Sequence, residues 1–143
     1  GSGTPTLAVS AALKNGALRA IGSLEDTTSA AVIAKRPATF HTNFGLAEVT
    51  GNSVTVRVTL RFTYPAGSKV QGIGTASRDY ALAAYGFTPP KSLVTEVLGS
   101  QRDTVGDLRG IEADFQVVAG TGAVMVYTSS VDNGTNDSIL RTD

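Results

Sequence analysis

The chain has 143 residues, 41% of them hydrophobic and 17% charged, with twelve basic residues balancing twelve acidic ones and no cysteine. A chain of this length and hydrophobicity suits one folded domain that buries roughly two thirds of its unfolded surface, not a disordered polymer. Zero net charge excludes a global field that would gather nucleic acid or an anionic membrane, and the lack of cysteine excludes a disulfide framework and thiolate metal sites.

Residues 1–3, Gly-Ser-Gly, read as a linker or tag remnant, and residues 4–143 read as a single domain. Thr6, Leu7, Val9 and Leu13 lie in an apolar, β-compatible stretch that could add as a strand to the chain's own sheet or to an exposed edge of a second copy. Residues 4–38 are thus an extra N-terminal strand and a hairpin. That hairpin runs from Ala17 to Ile33 around an acidic turn at Leu24, Glu25, Asp26, Thr27 and Thr28.

Phe40, Thr42, Phe44 and Leu46 alternate with His41, Asn43 and Gly45, which predicts a half-buried strand, with Gly51 and Asn52 making the next turn. The clearest signal follows. Val54, Val56, Val58, Leu60, Phe62 and Tyr64 share one parity and Thr55, Arg57, Thr59, Arg61 and Thr63 the other, so this strand has one face in the core. Residues 67–76, rich in Gly and Ser, read as a loop or irregular edge. Arg78–Ala84 is a strand that ends before Pro89 and Pro90, which cannot continue a ladder.

Ser92–Leu98 is the one helical candidate, with Ser92 as cap, Leu93, Val94, Val97 and Leu98 on one face, and Gly99 as the stop. Ile111, Ala113, Phe115 and Val117 alternate with Glu112, Asp114 and Gln116 as a further strand that closes at Gly120 and Gly122. Ala123–Val131 lacks strict alternation, as a strand covered on both faces would, and belongs inside a sheet. It leads through Asp132-Asn133-Gly134-Thr135 to Ser138, Ile139 and Leu140, a hairpin that echoes Ala17–Ile33. The echo reads either as adjacent strands about a pseudo-twofold, as a unit from a tandem array, or as ordinary convergence of hairpin composition.

The order Phe40-His41-Thr42-Asn43-Phe44-Gly45-Leu46, the Val54–Tyr64 strand, Tyr80-Ala81-Leu82 with Tyr85-Gly86, the Leu93–Leu98 helix and Val126-Tyr127-Thr128-Ser129-Ser130-Val131-Asp132-Asn133-Gly134-Thr135-Asn136-Asp137 resembles a module of secreted bacterial proteins. Its pattern is a "TNLGL" strand, an "LPPYG" segment, a short helix and a "YASVVDNRTGD" hairpin. The resemblance covers about residues 39–140. It implies a β-sandwich accessory or repeat module with no defined activity, in a secreted or cell-surface protein. The chain departs from the pattern by an insertion around Lys69–Ala76 and by Ala83-Ala84 where prolines are usual.

Residues with chemical potential are few. His41 is the single histidine and lies opposite the apolar parity of its strand, without a nucleophile-elbow pattern, and one histidine without cysteine cannot make a zinc or copper set. Glu25 with Asp26 and Glu112 with Asp114 are the close carboxylate pairs, the latter on one solvated strand face. Asp132, Asn133, Asn136 and Asp137 offer oxygen ligands for calcium but lack the EF-hand pattern, and a hairpin tip needs the same residue types. Tyr85 and Phe87, in the Gly/Pro loop, are the rings available to stack on a sugar, or else to pack on the core.

These signals predict an all-β, antiparallel β-sandwich of about seven to nine strands with one short helix near residues 92–98. They point to a non-catalytic structural or interaction module, with protein partners that include a second copy of itself in an oligomer or filament. A glycan- or calcium-binding accessory domain is the alternative. No cofactor, nucleic acid or transmembrane segment is expected.

Overall fold

In the computed structural model, which describes residues 12–26, 40–64, 71–105, 108–132 and 137–141, the alternating stretch forms strand β3, Val54–Thr63. Val54, Val56, Val58, Leu60 and Phe62 are buried, while the residues between them are half-buried or exposed. Strands β1 (Leu18–Asp26), β4 (Ile73–Leu82) and β6 (Leu108–Gly120) join β3 in a four-stranded sheet of order β1-β6-β3-β4. The other sheet has the order β5-β2-β7-β8, built from β2 (Phe40–Glu48), β5 (Lys91–Ser92), β7 (Val124–Asp132) and β8 (Asp137–Arg141). Every pairing is antiparallel, so the expected β-sandwich holds, with eight strands among the described residues.

The inward rows of the two sheets interlock. Phe44 and Leu46 of β2 and Val124 and Val126 of β7 are buried in one cluster with Val56, Val58 and Leu60 of β3 and Ile111, Ala113, Phe115 and Val117 of β6. Phe44 lies at the centre, its ring 6.3 Å from that of Phe115 and edge-on to Tyr80 at 5.5 Å, an arrangement that aromatic quadrupoles favour. Helix α1, Leu93–Leu98, joins this core by burying Leu93, Val94, Val97 and Leu98, and stops at Gly99, whose φ of 60° suits a residue without a side chain.

A 3-10 turn, Gly99–Gln101, and a second helical turn α2, Arg102–Val105, continue beyond the expected helix. Arg102 is buried and fixes this segment to the end of β1. Its Nε and Nη2 reach Asp26 Oδ1 at 2.9 and 2.5 Å, and Nη2 also donates to the Asp26 carbonyl. A guanidinium can be carried inside only with such pairing.

Several expectations are corrected. Residues 73–76 are not irregular: they belong to β4 and pair in register with β3, Gly74 opposite Phe62. Gly74 serves close packing, since a Cβ there would meet the Phe62 ring at 2.5 Å. Leu24, Glu25 and Asp26 do not form a turn. They continue β1 past a bulge at Ser23 (φ 60°), with Leu24 opposite Ile111 and Asp26 opposite Leu108. The expected turn at Gly51-Asn52 is present and carries the chain from one sheet to the other, since β2 pairs with β7. Of the two echoing segments, the strands that are described, β1 at an edge of one sheet and β7 inside the other, are not neighbours. The remainder of the first hairpin lies outside the described residues.

Replacing Phe115 with Ala removes a fully buried ring at the meeting of the sheets. It is expected to destabilise the protein by about 3–5 kcal/mol in chemical denaturation, with little change in denaturant slope.

Candidate functional site

The inward parity of β2 ends on a carboxylate. Glu48 follows Phe44 and Leu46 on that face and is 3% exposed. Its Oε1 accepts from the N–H groups of Gly51 (2.6 Å), Asn52 (3.1 Å) and Tyr85 (3.0 Å). Its Oε2 accepts from the N–H and hydroxyl of Thr50 (2.8 and 2.5 Å) and from the N–H of Ala123 (3.0 Å). Burial opposes ionisation, but the Thr50 hydroxyl and the converging N–H groups outweigh it and hold the carboxyl well below its usual range. One anion thus joins three chain reversals: the β2–β3 turn, the Ala83–Gly86 turn and the β6–β7 connection. Gly120 and Gly122 press against Ser53 and Asn52 there, with no room for a Cβ. Both oxygens are fully engaged by donors of the protein itself, so this carboxylate shapes the corner and does not present itself to a ligand.

The reversal at Ala83–Gly86 sets the exposed rings. Tyr85 takes a left-handed φ of 57°, its N–H held by Glu48, and its ring, 70% exposed, covers Gly51. The chain then runs beside β2, where Thr88 N–H donates to the Leu46 carbonyl and the Leu46 N–H donates to the Thr88 hydroxyl. A bridge from Phe87 to Ala47 leaves the Phe87 ring 71% exposed on the outward face. Between this segment and β7 lies an open groove of about 330 Å3, with Gly45 and Ala47 as floor and Phe87, Pro90, Tyr127 and Ser129 as walls. Gly45 keeps the floor low. Such a surface, almost wholly apolar, matches the flat apolar face of a small ligand.

Of the expected site residues, Phe87 forms part of this groove and Tyr85 stands beside it over Gly51. Neither ring packs into the core. His41 and Glu112 occupy the outward parities of opposite sheets, so the sandwich lies between them. The paired carboxylates are matched by arginines: Glu112 and Asp114 both reach Arg61 (3.3 and 3.0 Å), Glu25 reaches Arg109, and Asp26 reaches Arg102. Asp132 and Asp137 face each other across the β7–β8 pair, and Asn133 and Asn136 lie outside the described residues. Among the described residues, no three of His, Cys, Asp or Glu gather as a metal set, and no helix is long and apolar enough to cross a membrane.

Leu13 is placed; Thr6, Leu7 and Val9 lie outside the described residues. Leu13 is buried and exchanges two backbone hydrogen bonds with Val124, at 2.7 and 2.8 Å. Compared with known protein families, characterised proteins and solved structures, the chain matches none. Its functional reading therefore rests on its own residues. Glu48 itself was legible only as an acidic residue on an apolar parity ahead of Thr50-Gly51-Asn52, a turn rich in free N–H groups.

Because the Glu48 pKa is depressed on folding, its stabilisation is present above the unfolded value of 4.5 and lost as pH falls below it. Glu48→Gln is expected to lower the urea midpoint at neutral pH. The gap to the parent should narrow as both are titrated downward from pH 4.5, measured by circular dichroism.

Proposed function

We propose that the chain is a non-catalytic structural or interaction module of a secreted or cell-surface bacterial protein, and that copies associate by strand addition. The observation that carries this reading is the Leu13–Val124 bridge, an isolated antiparallel pair by which the end of the N-terminal segment reaches the edge of β7. Zero net charge places no repulsion between copies.

The groove beside Phe87 favours a second reading, a glycan-binding accessory domain, in which the exposed ring stacks on a sugar face. The two readings part on simple measurements. For assembly, light scattering should give a mass that rises with concentration in multiples of 14.7 kDa, and removal of residues 1–11 should leave a monomer. A full-length chain that stays monomeric at high concentration overturns assembly. For glycan binding, a surface oligosaccharide should shift the thermal transition of the parent and not of Phe87→Ala.

A further inference from the structure

The edge of β7 is shared. β8 occupies it from Asp132 (opposite Asp137) to Thr128 (opposite Arg141), and Leu13 occupies it at Val124. Both partners run antiparallel to β7, hence in the same direction along one line. Continued upstream, the Leu13 register would set residue 11 opposite Val126, residue 9 opposite Thr128 and Thr6 opposite Val131. From residue 9 back, these positions are the ones that β8 fills. Pro5, without an N–H, cannot extend the ladder, so residues 6–13 match eight of the nine residues of β7.

The sequence match is also closer for that segment than for β8. The β7 residues on the inward parity, Val124, Val126 and Thr128, are at most 1% exposed. The Leu13 register sets Leu13, Ala11 and Val9 opposite them and Leu7 opposite Ser130, an unbroken apolar row, with Ala12, Ser10, Ala8 and Thr6 between. The β8 register sets Arg141 opposite Thr128, Ile139 opposite Ser130 and Asp137 opposite Asp132, a row with one apolar residue in three.

We propose that the edge of β7 is the acceptor through which copies join, and that its occupant is residues 6–13 of a second copy, displacing β8. This rests on the assembly reading and specifies its joint. The link from Leu13 to β1 is the short, exposed turn Lys14–Ala17, closed by one hydrogen bond from Ala17 N–H to the Lys14 carbonyl, with Gly16 at φ 90°. Short hinges of this kind invite exchange, and the ladder hydrogen bonds given up within one chain form again between two. Each copy then both gives and receives a strand: reciprocal exchange closes a dimer, and exchange with two different neighbours propagates as a chain.

Register supplies the test, and the absence of native cysteine keeps it clean. Ser129 faces Leu140 in the present pairing and Ala8 in the proposed one. Ala8 would be a non-hydrogen-bonded neighbour there, the position where cross-strand side chains lie closest. Under mild oxidation, Ala8→Cys with Ser129→Cys is expected to give chains linked between copies, whereas Ala8→Cys with Val131→Cys, two residues out of register, stays reduced. Leu140→Cys with Ser129→Cys should oxidise within one chain and shift the mixture toward monomer by locking β8. Links only within a chain for the Ala8 pair overturn the exchange between copies. No link for the Ala8 pair, together with a large particle by light scattering, overturns this joint while assembly stands. No link and a monomeric particle overturn both.

Discussion

The corner of the sandwich depends on the buried Glu48 carboxylate. Three reversals of the chain converge there, each bringing backbone N–H groups that intrachain ladders do not satisfy, and a single anion with two oxygens accepts from all of them. Charge-assisted hydrogen bonds are stronger than neutral ones, and in a buried setting their number is what makes the ionised form tolerable. The glycines at 120 and 122 belong to the same arrangement. They let the β6–β7 connection come close enough for Ala123 to reach the carboxylate.

From this corner the two sheets acquire their relative position, and the outward faces differ in kind. The β1-β6-β3-β4 face carries exposed ion pairs such as Arg57 with Asp79 and Arg61 with Glu112 and Asp114, which are solvated and contribute little to stability. The hydrogen bond from Arg57 is the main cause that keeps the Asp79 carboxyl below its ordinary value. The opposite face is small and apolar, with Gly45 and Ala47 between the rings of Phe87 and Tyr127. Where the first sheet meets helix α1, Tyr80 donates to Glu96, and burial, with the Glu96 charge, pushes its phenol up. Arg78, beside it, binds the same carboxylate and gives an edge strand an inward-side charge.

Alternation along the chain was enough to predict β2, β3 and the core half of β6, because side chains of one parity must all enter the core or all leave it. Val56, Phe44 and Phe115 were core residues on that ground alone. The helix at Leu93–Leu98 was legible from four apolar residues and a glycine stop. Composition misled at residues 73–76, where the glycine suggested a loop although Gly74 lets the rings of Phe62 and Tyr64 approach the strand. It misled again at Leu24–Asp26, where the acidic pair is divided between a buried and a solvated arginine within one strand.

The sequence by itself determined which residues enter the core, the antiparallel β class and the scarcity of groups able to do chemistry, since these follow from periodicity and residue type. The tertiary structure alone decided which strands are neighbours. Turn residues at Gly51-Asn52 report that the chain reverses, not whether it pairs back or crosses to the other sheet. For the same reason Glu48 could not be recognised as the meeting point of three turns, nor Leu13 and β8 as sharers of one edge. The decisive contacts, Glu48 with Ala123 and Leu13 with Val124, join residues 75 and 111 positions apart, which local chemistry does not encode.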